Sequence, residues 1–467
     1  MIVRHWTRDR VVALALLVST TTLGPVSSLA AQTGLTIYND GRVLVRRTVT
    51  AAVSAGLSHH RLALGALDPA TLFALDSGVT VIGAAYDDAV DEANTMRRAT
   101  GQTLKFLRVL GGSAPGDTVT ATVVGVNPER FRLTDGRIVF ERPGLPLYPE
   151  ELMLADPTLS VAVRAPAARP SLRLGYFTQG ASWTANYSVV LGKGAARLSG
   201  QAVIPSQTLR EADAEVQLLA GSVGGGASRR EVALAEKAMA FSVAGNAAMA
   251  PATEEGVGEA HLYSIPGRVS IQPGTTTTVA LFEPATAPWT RTFVVRGQIP
   301  WYGPLQQYGD NENQVPVEVW YTLKRQARTS FGDLPLPGGA YRLYEPDAQG
   351  RLQLIGESSA GHTAPGQDVR LSAGSAFDLT ARRVQTSYGT QRDSTRHTVA
   401  TAGYRVTVAN AKDSAATVEV LEERGGEWSV ITSSAPPERV SSTRTRFTLR
   451  VPAHGEATLT YRVRVVW

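Results

Sequence analysis

The residues able to do chemistry are few, and their spacing decides what they could do. In GYFTQGASWTANYSVVL (175–191) a serine follows a glycine, as it does where a hydrolase presents a nucleophile. Such an elbow needs Gly-x-Ser-x-Gly between a buried strand and a helix, with an acid and a histidine further on. Gly180-Ala181-Ser182-Trp183-Thr184 lacks the second glycine and runs into strand-like alternation. Ser182 therefore reads as a turn residue and Trp183 as a core anchor at the start of a strand. His59 and His60 are adjacent and would point oppositely on a strand, whereas a helical zinc pair needs i, i+4 spacing. His362, in GESSAGHTAPG behind Ser358 and Ser359, is the histidine best placed for catalysis; its plainer reading is a turn histidine that holds backbone groups.

Paired carboxylates could support glycoside hydrolysis if a fold set two of them about 5–10 Å apart. Asp333, Glu345, Asp347 and Glu357 are spread over one block without a flanking signature, so they read as solvated surface acids. The run GDNEN (309–313) offers Asp310 and Glu312 but neither the glycine nor the closing glutamate of a calcium loop. Gly224-Gly225-Gly226 lacks the Gly-Lys-Ser/Thr of a phosphate-binding loop. No catalytic, cofactor-binding or metal-ligating residue is assigned, and no cofactor is expected.

The elements that would position any site are strands. LTIYNDGRVLVRRTVTA (35–51) alternates on both sides of Asn39-Asp40-Gly41, a hairpin signature. Thr134-Asp135-Gly136-Arg137 joins RFRL to RIVF in the same way, so 101–141 reads as a small barrel-like β insertion. Before it, YDDAVDEANTMRRATG (86–101) places acids early, arginines late and Gly101 last, which predicts a helix. Residues 222–259 are rich in Gly and Ala and read as a flexible linker, in which Ser228-Arg229-Arg230-Glu231 could cap a short helix over VALAEKAMAF. From 260 onward strand follows strand, with turns every 8–12 residues, the spacing of antiparallel sandwiches. The expected fold is mostly β: an N-terminal β domain over 31–221 with its insertion, the linker, and a C-terminal immunoglobulin-like β-sandwich over 260–467, with few short helices.

A chain of 467 residues with 43% hydrophobic and 19% charged residues has the composition of a globular protein of two or three domains. Its first thirty residues read as a signal peptide: Arg4, Arg8 and Arg10, the apolar run VVALALLV, then small residues that place cleavage near Ala30 or Ala31. The apolar run is too short for a spanning helix of about 20 residues, so no transmembrane helix is expected after cleavage. Three arginines less Asp9 make the leader +2, which leaves about +3 of the +5 total on the mature chain. With no basic stripe, nucleic acid is not an expected partner. The absence of cysteine excludes disulfides, thiolate metal sites and a lipoprotein anchor.

Several stretches, in order, resemble the bacterial family called domain of unknown function 4139, the mucoidy-inhibitor-like proteins. LTIYNDGRVLVRR (35–47) is similar to the family's opening strand pair. LRLGYFTQGASWTANYSVVL (172–191) resembles its Y-x-T-x-x-x-S-W-x-x-x-Y stretch through Tyr176, Thr178, Ser182, Trp183 and Tyr187. AEVQLLAGSV (214–223), HLYSIPGRVSI (261–271), GYRVTVANAK (403–412) and VPAHGEATLTYRVRVVW (451–467) match further strands, Ile271 standing where the family has Leu. The block from Leu334 to Leu379, opening LPLPGGAYRLYEP, is the most specific. The chain departs from the pattern at IPSQTLRE (204–211), where relatives carry an Asn-x-Ser-Gly-like turn, and lacks the long helical hairpin of some members, so partner binding through that hairpin does not carry over. The resemblance transfers no catalytic residue.

The function expected is non-enzymatic: an exported protein, periplasmic or extracellular, that binds or scaffolds an envelope protein or glycan. The alternatives are a carboxylate-dependent hydrolase of envelope glycan or peptide, and an outer-membrane β-barrel. The last rests on the alternation of Leu459, Tyr461, Val463, Val465 and Trp467 at the C-terminus.

Overall fold

The computed structural model describes residues 32–108, 117–153, 156–221, 251–297, 299–308, 312–329, 331–392 and 397–466. The leader, the Gly224–Gly226 run, the helix expected over 232–241, Asp310 and Trp467 lie outside the described residues. The fold is mostly β, as the alternation requires, and its strands form five sheets with one short α-helix among the described residues.

Both hairpins form where the Asp-Gly turns place them. Thr33–Tyr38 pairs antiparallel with Val43–Val53 across Gly41, and Glu129–Leu133 pairs with Ile138–Val139 across Gly136. Each glycine has positive φ, +89° and +86°, which an L-residue adopts only with strain. The expected helix forms over Glu92–Arg98, capped by Asp91 through Asn94 N (2.8 Å), with Arg97 and Arg98 in its last turn. It is shorter than 86–101 because its first residues belong to the strand Thr80–Asp87.

The insertion is not a barrel. Its strands run in the order 145–147, 103–107, 118–126, 129–133, 138–139, and the two outer ones do not pair. One edge strand contains Pro146, which has no N–H to donate across a seam, and the other is two residues long. The helix covers this open sheet, packing Met96 and Ala99 with Phe106 and Phe131.

The remaining strands build two larger cores. The first runs from Leu35 to Leu371 and sits between an eight-stranded sheet, a three-stranded sheet and the first part of an eleven-stranded sheet. The second, from Phe293 to Val465, lies between the rest of that long sheet and a five-stranded sheet of 313–315, 379–392, 398–410, 455–466 and 427–433. The strand Ala285–Arg296 serves both, with Ala287 in the first core and Phe293 and Val295 in the second.

The division at 222–259 does not separate two cores. Thr184–Leu191 pairs in parallel with Gly339–Pro346, and Glu211–Ala220 pairs with Ala260–Ser264. Within the expected linker, Thr253–Val257 is itself a strand on that same sheet. Low apolar content made this stretch resemble a spacer, but its two ends lead into neighbouring strands of one sheet.

Candidate functional site

The second core supports an exposed aromatic loop, IPWYGPLQQY (299–308). Ile299 and Leu305 are buried in the core, whereas Trp301, Tyr302 and Tyr308 are 45%, 73% and 42% exposed. Pro300 and Pro304 restrict the backbone, and Gly303, at φ +86°, makes the turn between them. The Trp301 and Tyr302 rings stand perpendicular, 5.8 Å between centroids.

A buried arginine holds this loop. Arg424 is 2% exposed and follows the strand Ala416–Glu423; its guanidinium donates to the carbonyls of Pro300 and Gly303, the residues that flank Trp301-Tyr302. Burial disfavours the charged form and lowers the Arg424 pKa, against the opposing pull of Tyr404. Gly425 N donates to Trp301 O at 3.0 Å. A Cβ on Gly425 would lie 3.0 Å from the Tyr302 ring and 3.3 Å from that of Trp301, so a glycine lets the rings sit against the turn. From the facing sheet, Gln385 accepts from Tyr308 N (2.7 Å) and donates to Gln306 O (3.0 Å), and Tyr388 donates to Leu305 O (2.9 Å). Gln306 and Gln307, also exposed, add two amides to the same loop.

Beneath the loop lies a buried ionic cluster. Arg383 Nη2 is 3.0 Å from Glu422 Oε1 and 3.1 Å from the Tyr461 hydroxyl, which also donates to Glu422. The Arg383 guanidinium stacks over Tyr404, 3.9 Å from the ring centroid. Burial raises the Glu422 pKa, and Arg383 opposes that rise. Gly297 makes room for the carboxylate, since a Cβ there would collide with Glu422 Oε2.

The residues singled out from sequence are placed elsewhere. Ser182 N donates to Pro205 O (3.3 Å) at the entrance to the strand Thr184–Leu191, and Trp183 is fully buried with its indole N–H on Leu219 O (3.1 Å). His362 accepts from Gly338 N at Nδ1 (3.1 Å), a turn histidine holding backbone. His59 and His60 line a shallow concavity on the three-stranded sheet, where His60 Nε2 meets Ser58 Oγ at 2.9 Å. Glu357 pairs with Arg342 (3.0 Å) across two strands, and Asp333 accepts from Arg328 N. Glu345 faces Gln353 in the same strand pair. Asp347 accepts from Arg351 N and the Arg351 guanidinium, which hold its carboxyl below the usual range; a catalytic acid needs the opposite shift. Glu312 lies 3.5 Å from Arg382.

Several buried polar side chains meet at the LPLPGG turn, 334–339. Arg325, 4% exposed, donates to the carbonyls of Phe331, Gly332, Leu334, Ala364 and Gln367. Tyr263 and Tyr187 donate to Pro335 O (3.0 Å) and Pro337 O (2.8 Å), and Tyr187 stacks on Tyr341 at 4.3 Å. Trp183 packs beside Tyr263. These residues organise backbone rather than a reaction.

The sequence reading missed the aromatic loop. Its signal was local: two adjacent large aromatics between two prolines, followed by amides. The chain matches no protein-family model, and no curated protein is similar to it.

Proposed function

We propose that this protein is an exported, non-enzymatic binding protein of the bacterial cell envelope, of the kind grouped as domain of unknown function 4139, and that the 299–308 loop grips a glycan. The observation that carries this reading is the commitment of buried Arg424 to the carbonyls on either side of Trp301-Tyr302. A charge is desolvated to fix two rings that themselves face solvent. Rings fixed before binding lose little entropy on contact. A sugar offers an apolar C–H face to such rings, and its hydroxyls match the amides of Gln306 and Gln307 and the Tyr308 hydroxyl. The export reading rests on the leader's charge and apolar pattern.

The test is co-sedimentation of the mature protein with purified bacterial sacculi, alongside fluorescence titration with soluble sacculus fragments. Among the described tryptophans Trp183 and Trp428 are buried, Trp289 and Trp320 half-buried and Trp301 exposed, so an emission change that is lost in Trp301→Ala reports a ligand on the loop. Trp301→Ala and Tyr302→Ala should each weaken retention by about 30-fold, the ~2 kcal/mol of an interface hot spot, without lowering the melting temperature. Equal retention of wild type and both variants would end the proposal.

A further inference from the structure

The outer face of the five-stranded sheet carries a cleft of about 400 Å³ that the aromatic loop does not use. Across it, Ser387 stands opposite Gly403, Gly403 opposite Arg462, and Arg462 opposite Thr432. Two irregularities of register flank this row, at Gln385/Ser387 and at Val430/Thr432, and such bulges re-aim side chains. Gly403 forms the floor: a Cβ there would lie 2.6 Å from Ser387 Oγ and 2.8 Å from Thr386 Oγ1.

The side chains around the floor share one chemistry. Among the described residues, the hydroxyls of Thr386, Ser387, Thr432 and Thr460 have no hydrogen-bond partner, and Arg462 has no ion-pair partner. Arg405, opposite Thr460 on the same face, is likewise without a counter-ion there. The acids of this face are engaged with other arginines, Glu456 with Arg382 and Glu427 with Arg464.

We propose that this cleft binds a phosphate group, with Arg462 as its charge partner, Arg405 adding positive field, and the hydroxyls of Thr386, Ser387, Thr432 and Thr460 as donors. A guanidinium offers paired N–H donors to a tetrahedral oxyanion, and hydroxyls that donate to nothing in the protein are free to complete its shell. Among the described residues, no unengaged carboxylate on the face opposes an anion. The group is either free phosphate or the phosphate of a lipid headgroup.

The experiment is isothermal titration of the mature protein with inorganic phosphate at constant ionic strength, followed by flotation with phosphatidylglycerol vesicles. Saturable phosphate binding is expected, weakened at least tenfold in Arg462→Ala and several-fold in the Ser387→Ala/Thr432→Val double variant. Trp301→Ala should leave it unchanged, which separates this site from glycan binding. Melting curves check that these surface variants stay folded. Vesicle flotation lost in Arg462→Ala assigns the phosphate to a headgroup; phosphate binding without flotation assigns it to the free ion. Heat no larger than that of chloride, or binding undiminished in Arg462→Ala, would overturn the proposal.

Discussion

Arg424 and Arg383 are both buried arginines of the second core, yet they answer desolvation differently. Arg424 has carbonyl partners, whereas Arg383 has a carboxylate, a phenol and an aromatic face; Nε of each is buried without a hydrogen bond. Arg424→Met removes the side chain that links the strand end to both turn carbonyls. Unmade bonds to buried carbonyls cost about 1–3 kcal/mol, less whatever is recovered by no longer burying a charge. Denaturant unfolding should show a loss in that range, while glycan retention through Trp301 should fall as far as in Trp301→Ala. Retention at the wild-type level would mean that the turn holds its rings without the arginine. For the ionic cluster, Arg383→Leu strands the Glu422 charge in a fully buried site and should cost about 3–5 kcal/mol. Arg383→Leu/Glu422→Leu together should cost less than Arg383→Leu alone, since no lone charge is then buried; a larger loss in the double variant contradicts that account. None of this was legible in the sequence. Glu422 and Arg424 carry no local signal, because their burial depends on Gly297 and the 299–308 turn, more than a hundred residues away in the chain.

Elements whose logic is local were legible. The Asp-Gly turns, the helix with acids early and arginines late, and the alternation of Leu459, Tyr461, Val463 and Val465 each follow from neighbours in sequence, and the structure contains all of them. The short strand Phe73–Ala74 is different, since it depends on a side chain that reaches across. Beside it, Asp76 accepts from Arg173 N (2.7 Å) and Arg173 Nε (2.8 Å), and Arg169 lies 3.4 Å away. Burial alone would raise the Asp76 pKa, but the Arg173 N–H and the two guanidinia outweigh it and hold the carboxyl below 3.8. A pKa lowered on folding means that the folded state favours the ionised form. Its stabilisation is therefore present above the unfolded value near 3.8 and is lost as pH falls through the lower folded value. Asp76→Asn should be less stable than wild type from pH 5 to 7, with the gap closing below pH 4. Urea unfolding at several pH values measures this, and a gap that stays constant down to pH 3 would show that the carboxylate's charge is not what ties this strand down.

At the scale of the whole molecule, the strand order decides which parts stand or fall together. Composition alone placed a boundary at 222–259, because a run poor in large apolar residues cannot contribute a core. What composition does not carry is pairing between strands distant in the chain, and here that pairing crosses the boundary repeatedly. Tyr187 on one side stacks on Tyr341 on the other, Trp183 packs beside Tyr263, and Leu35 shares a core with Leu371. Apolar burial over such a core outweighs the entropy regained by releasing one chain connection. A site for a specific protease placed within 222–250 and then cut should therefore leave two polypeptides that co-elute as one particle and separate only in denaturant. Both should unfold in a single transition over the first core, since neither piece carries the partners of its own buried strands. Two fragments that part under native conditions, each with its own melting transition, would instead restore the two-domain division and require the parallel pairing of 184–191 with 339–346 to be abandoned.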